Sequence, residues 1–163
     1  MAVYAAQRLD GYQTGRGVAY GIDPWTKQAA LEGMIDPENI HFWDQCPYEI
    51  TYTDCVKAIK RLGLQGYCRL IRAQAHTVAN QFAEISVGLL HLDGNHSAEP
   101  TIRETREWFP KVAVGGFIVV DDIAWKEADV FTVRPAVEWM LERGCAIVDQ
   151  SVRNCLVLEK RCE

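Results

Sequence analysis

The chain has 163 residues, 48% of them apolar, and a formal net charge of −5 at pH 7, which amounts to about one domain's worth of sequence around a single core. The acidic balance and the lack of any Lys or Arg run argue against a nucleic-acid groove or an anionic membrane surface as partner, and no stretch approaches the ~18 apolar residues of a spanning helix. No charged segment followed by an apolar one opens the chain, and its six cysteines form no C-x-x-C pair, so the expected setting is cytoplasmic and reduced.

Residues 1–10 show helical spacing of Val3, Ala6 and Leu9 with no capping residue before them. Gly15-Arg16-Gly17 precedes a strand instead of following one, so a plain turn is favoured over a phosphate cradle. Val18 to Ile22 is the first predicted strand, ending at Asp23-Pro24-Trp25. An acid at a strand tip can accept both hydroxyls of a ribose, and it can equally open an Asp-Pro turn. A short helix is expected over 26–34 with Thr26 as cap. Residues 35–47 have no clear period and read as a surface segment or a lid over substrate.

Tyr48 to Leu62 is predicted helical, with Tyr52, Val56 and Ile59 on one face and Gly63 ending it. A strand over 67–71 and a helix over 75–82 follow, which leaves Arg72 to His76 as a strand-to-helix turn. Val87 to Leu92 is an apolar run stopping at Asp93-Gly94-Asn95-His96. Ser97 caps the next helix, which Pro110 stops, and a second apolar run, Gly116 to Val120, stops at Asp121-Asp122. Such runs joined by an amphipathic segment describe a βαβ unit, whose right-handed crossover makes the two strands near neighbours. The tail reads as a polar loop over 124–132, a helix over 133–143 and an antiparallel pair of strands at 145–148 and 155–158.

Both acidic clusters fall at carboxyl ends of strands, where open α/β sheets bind ligands. Asp93, Asp121 and Asp122 offer hard oxygen ligands of the kind that suit Mg²⁺ or a similar divalent ion. Neighbouring strand residues face opposite ways, so Asp121 and Asp122 share one ion only if the strand has already ended. Turn chemistry is the plainer account of each acid taken singly. His96 is a candidate general base, because an unperturbed imidazole titrates near neutrality. His91 reads as a hydrogen-bonded core histidine.

Gly21-Ile22-Asp23-Pro24-Trp25, Leu90-His91-Leu92-Asp93-Gly94-Asn95-His96-Ser97 and Gly115 to Asp122 together closely resemble the class I S-adenosylmethionine-dependent methyltransferases. Within them the chain resembles the branch with metal-dependent sugar O-methyltransferases and cephalosporin-hydroxylase-like proteins. The resemblance implies one domain over 1–163, a Rossmann-like three-layer α/β sandwich with a mostly parallel sheet and an antiparallel C-terminal strand. It further implies S-adenosylmethionine bound with its ribose on Asp23, beside Trp25, its adenine by Gln74, and Asp93 on the cofactor side. Asp93, Asp121 and Asp122 would then hold Mg²⁺ or another hard cation that chelates a small hydroxylated, sugar-like acceptor.

In that family a central first strand carries a glycine-rich turn, and this sequence begins at the helix that follows it. The expectation is therefore a truncated or variant domain lacking that strand, with weak cofactor binding and an open edge that favours self-association. Two other readings stay open: a non-catalytic methyltransferase-fold protein, and a metal-dependent hydroxylase-like enzyme on the same scaffold.

Overall fold

A computed structural model describes residues 17–162. The expected helix over 1–10 and the turn at Gly15-Arg16 lie outside them. The elements run β1 (Ala19–Ile22), α1 (Lys27–Ala30), α2 (Pro37–Asp44), α3 (Tyr48–Arg61), β2 (Cys68–Ile71), α4 (Ala75–Val78), β3 (Val87–Leu92), α5 (Ala98–Trp108) and β4 (Val112–Val120). They continue as β5 (Lys126–Glu127), β6 (Val130–Phe131), α6 (Arg134–Leu141), β7 (Cys145–Asp149) and β8 (Leu156–Lys160). β1 pairs with β2 in parallel, and a second sheet has the order β3-β4-β8-β7, parallel at β3-β4 and antiparallel thereafter. This is a Rossmann-like α/β domain with the expected antiparallel end. Among the described residues no strand joins β1 to β3.

The βαβ unit forms because its strands can be covered. Ile118, Val120, Leu156 and Leu158 turn one face of the sheet toward Val133, Val137 and Met140 of the α6 segment, all in one core cluster. Ile118, Leu158 and Met140 are fully buried, each a side chain whose burial is worth about 1.5–3 kcal/mol. A second cluster of Val78, Ala79 and Trp108 gathers Ile22, Ile71 and Leu90, so β1, β2 and β3 abut one apolar mass. Lys160 is also buried; its ammonium donates to the carbonyls of Phe109 (3.2 Å) and Val112 (2.9 Å) and lies over the Phe109 ring.

β4 begins earlier than the apolar run suggests. Between Val87–Val112 and Leu89–Phe117 the register with β3 slips, and the slack is taken up at Gly115, with φ of 78°, and Gly116. A Cβ on Gly116 would lie 2.8 Å from the Ala113 carbonyl, so glycine is required at this bulge.

Several local expectations need correcting. Residues 37–44 form a helix, because Asp36 accepts from the N–H groups of Glu38 and Asn39 and Pro37 supplies a preset first turn. The polar loop over 124–132 contains the short β5–β6 hairpin. Ser97 stands at the start of α5, but its buried hydroxyl has no partner, and its N–H is received by the Asn95 side chain instead (2.8 Å). The helix expected over 75–82 is one α turn followed by a 3₁₀ turn, Ala79–Gln81. All six cysteines are free thiols, and no helix among the described residues is long and apolar enough to cross a membrane.

Candidate active site

The carboxyl ends of β3 and β4 bring the predicted acids together. The parallel ladder runs one residue past β4, since the Asp121 N–H donates to the Leu92 carbonyl at 3.1 Å. Asp122 is the first residue out of register, with a left-handed φ of 51°. That conformation is uncommon for a residue with a side chain, and Asn154 holds it. The Asn154 amide N–H₂ donates to Asp122 Oδ1, its Oδ1 accepts from the Ala124 N–H (2.7 Å), and its backbone carbonyl accepts from the Ile123 N–H (3.2 Å).

The two aspartates consequently enter different clusters that share Asp93. Ligand atoms of His91, Asp93 and Asp121 lie within 4.8 Å of one another, and so do those of Asp93, His96 and Asp122. The expectation of one ion on three aspartates is thus modified: each cluster couples two carboxylates to one imidazole. The spacing and donor chemistry fit a divalent cation at either position.

His91 does not take the core setting expected of it. His91 has a half-exposed side chain, 3.8 Å from Asp121, because its sheet face is open at the strand tip. His96 is the interior one, 6% exposed. Its Nε2 lies 3.1 Å from Asp122 and 3.8 Å from Asp93, and its ring packs on Trp125 with centroids 5.2 Å apart. Thr132 anchors the His96 carbonyl at 2.6 Å. Burial lowers the imidazole's pKa more than the three aspartates raise it, so His96 is neutral at physiological pH and can accept a proton. The Asp93 carboxyl is raised, first by desolvation and then by Asp121 and Asp122, against the pull of His91 and His96.

On the other side of the crevice stand the tips of β1 and β2. Asp23 accepts from the Trp25 N–H through Oδ1, the turn role that the sequence weighs equally with ribose binding, and the Trp25 ring is buried against Tyr52 with centroids 4.9 Å apart. Gln74 donates to Glu32 (3.3 Å), which also receives Arg103 (3.0 Å). Asn95 spans to this side, its amide donating to the carbonyls of Ala29, Ala30 and Glu32. Glu104 completes the polar wall. Burial, together with the negative Glu32 and Asp23, pushes its carboxyl up to about 7 despite Arg103. A Cβ on Gly94 would meet Glu104 Oε2 at 2.8 Å, so the Asp-Gly step leaves room for that side chain.

Asn154, Trp125 and Glu127 are the site residues that sequence reasoning missed. Asn154 lies in a late loop 32 positions from Asp122, and only the Asp-Asp end of β4 hints that something must hold its second acid.

An α/β sheet with acids at adjoining strand tips has the plan of a Rossmann-like protein, whose ligands bind at the carboxyl ends of its strands. A family model described as a methyltransferase domain matches residues 1–123; the chain belongs to that family, the class I methyltransferase lineage its motifs resemble. No curated protein matches the sequence. Among solved structures, a protein of Corynebacterium glutamicum is 18% identical with a TM-score of 0.61, over 99% of this chain and 81% of its own. The O-methyltransferase NovP is 13% identical with a TM-score of 0.69, over 99% of this chain and 67% of its own. CalS11, a TDP-rhamnose 3'-O-methyltransferase of calicheamicin biosynthesis, is 14% identical with a TM-score of 0.57, over 96% of this chain and 66% of its own. The chain thus spans about two thirds of the length of the last two.

Proposed function

We propose that the chain methylates a hydroxyl of a small, sugar-like acceptor with S-adenosylmethionine, assisted by a divalent cation. The observation that carries this reading is the buried His96 held 3.1 Å from Asp122 at the rim of the β3–β4 acids. A base so placed keeps its Nε2–H donated to Asp122 and takes the acceptor's hydroxyl proton onto Nδ1, and Asp122 stabilises the imidazolium that forms. Asp93, with His91 and Asp121 or with Asp122 and His96, would hold the cation, whose contribution is to acidify and orient a hydroxyl. The first of these positions leaves His96 free as base. Asp23, Trp25 and Gln74 would form the cofactor's side of the crevice, and S-adenosylmethionine supplies an electrophilic methyl group.

Each cluster has one histidine and two carboxylates, unlike the two-histidine, one-carboxylate set of non-haem iron oxygenases. That favours methyl transfer over a hydroxylase-like reaction. The test is thermal unfolding with S-adenosylhomocysteine and Mg²⁺ beside a radiolabelled methyl-transfer assay on a panel of hydroxylated acceptors. Ligand at a hundredfold over its Kd should stabilise by about 2.7 kcal/mol, a rise of about 5–11 °C for this size. The second reading, a domain that holds the cofactor poorly, is favoured by the lack of a joining strand between β1 and β3 among the described residues. It predicts no rise.

A further inference from the structure

Glu127 lies outside the strand-tip motifs, yet it is among the most buried charged residues, 3% exposed on the two-residue strand β5. Burying a carboxylate is costly unless its acceptor sites are filled. Here four donors fill them. Oε2 accepts from the backbone N–H groups of Ile35 (2.8 Å) and Asp36 (2.7 Å), and Oε1 from the Asn39 side-chain amide (2.8 Å) and the Trp125 indole N–H (3.0 Å). A carboxylate offers roughly four such lone-pair positions, so none is left over. Three of the donors belong to the start of α2, more than eighty residues away in sequence, and the fourth belongs to the ring that packs on His96.

We propose that Glu127 is a positioning residue that locks the α2 segment and the Trp125–His96 pair into a single arrangement. This rests on the reading of His96 as the base. The Trp125 backbone N–H is held by the Asp122 carbonyl (2.8 Å) and its own carbonyl receives the Thr132 N–H (3.3 Å), so the indole is fixed at its root. Its remaining freedom is rotation of the ring, and the Glu127 bond to the indole N–H sets that rotation. The same carboxylate sets where α2 begins. Whatever displaces α2 must loosen the surface against which His96 is packed. The segment expected as a surface stretch or a lid over substrate is therefore pinned to the base through one side chain.

Glu127→Gln is the sharpest probe. An amide has one acceptor atom, so in either orientation its N–H₂ confronts two of the four donors. Asn39→Ala is the second probe; it removes one of the Glu127 donors from α2, together with the bond of the same amide to the Lys126 carbonyl (3.0 Å). Both are read in the protein without cofactor or metal, by NMR of the His96 ring protons, the Trp125 indole N–H and the Ile35 and Asp36 amides at fixed pH. In Glu127→Gln, exchange of the Trp125 indole N–H with water should quicken at least about tenfold as its local protection is lost, and the His96 ring protons should shift. In Asn39→Ala the His96 ring protons should again move, although the substitution is on the far side of the carboxylate. Unchanged His96 resonances in both variants, with the Ile35 and Asp36 amides displaced, would reduce Glu127 to a tether for α2 and overturn the proposal. These readouts need no turnover, so failure of the methyl-transfer assay leaves the test intact. Where turnover is found, Glu127→Gln should lower kcat at least about tenfold with acceptor KM little changed, the pattern of a lost transition-state interaction.

Discussion

Replacing Asn154 tests how Asp122 is held. The side chain makes one hydrogen bond to a carboxylate and one to the Ala124 N–H, from a residue that itself has a φ of 64°. A bond to a charged group is worth about 1.5–3 kcal/mol and a neutral one about 0.5–1.5. Left-handed backbone adds roughly 1–2 kcal/mol for alanine over asparagine or glycine. Asn154 is only partly buried, so water recovers much of the first two contributions, and Asn154→Ala should destabilise by about 2–4 kcal/mol in total. For a domain of this size that is a fall in Tm of about 4–16 °C. Asn154→Gly separates the causes, since it keeps the backbone conformation and loses both side-chain bonds. It should recover about 1 kcal/mol of the loss seen in alanine while methyl transfer and divalent-ion binding stay as impaired. The assay is calorimetric unfolding together with Mn²⁺ titration by electron paramagnetic resonance. If Asn154→Gly matches the parent in both Tm and Mn²⁺ binding, Asn154 does not hold Asp122 and this account of the site's geometry is refuted.

Asp93 belongs to both candidate ion clusters, so Asp93→Asn should weaken Mn²⁺ binding more than Asp121→Asn or Asp122→Asn does, measured by the same titration. His96→Gln should cut methyl transfer by about 10²–10⁴-fold, the usual worth of a general base, with the fold intact by circular dichroism. The Glu104 carboxyl, raised from 4.5 to about 7, binds more protons folded than unfolded between those values. Its contribution to stability is full below about pH 4.5 and lost as pH rises through 7, an effect of up to about 3 kcal/mol. His96 runs the other way: lowered when folded, it costs stability as pH falls below 6.5. Glu104→Gln should therefore gain Tm over the parent at pH 8 relative to pH 5, and parallel Tm–pH curves for the two proteins would contradict it. Lys160→Met leaves the Phe109 and Val112 carbonyls unpaired and should cost about 1–3 kcal/mol by urea unfolding.

Strands β3 and β4 and the meeting of Asp93 with the β4 acids were legible because a continuous apolar run that stops at an acid has few other interpretations. The helical periodicity of Tyr52, Val56 and Ile59 likewise gave α3. Partnerships spread along the chain were not legible. Glu127 sits in a polar stretch that looks like any loop, and three of its four donors lie at the start of α2, far away in sequence. Strand alternation turned His91 inward, but alternation says which side of a sheet a residue takes, not whether that side is covered. α2 was hidden because its register is set by capping at Asp36 and by a clasp from 91 residues away, neither of which leaves an apolar period.

The glycine bulge in β4 divides that strand into two mechanically separate halves. Beyond Phe117 every residue is matched to β3 and to β8, whereas before it only Val112 meets β3. Changes of side chain at 113–114, outside the core, can be absorbed at Gly115-Gly116 without reaching Asp121. The reacting end of the strand is thereby insulated from drift at its entrance, and variation there should leave the chemistry untouched.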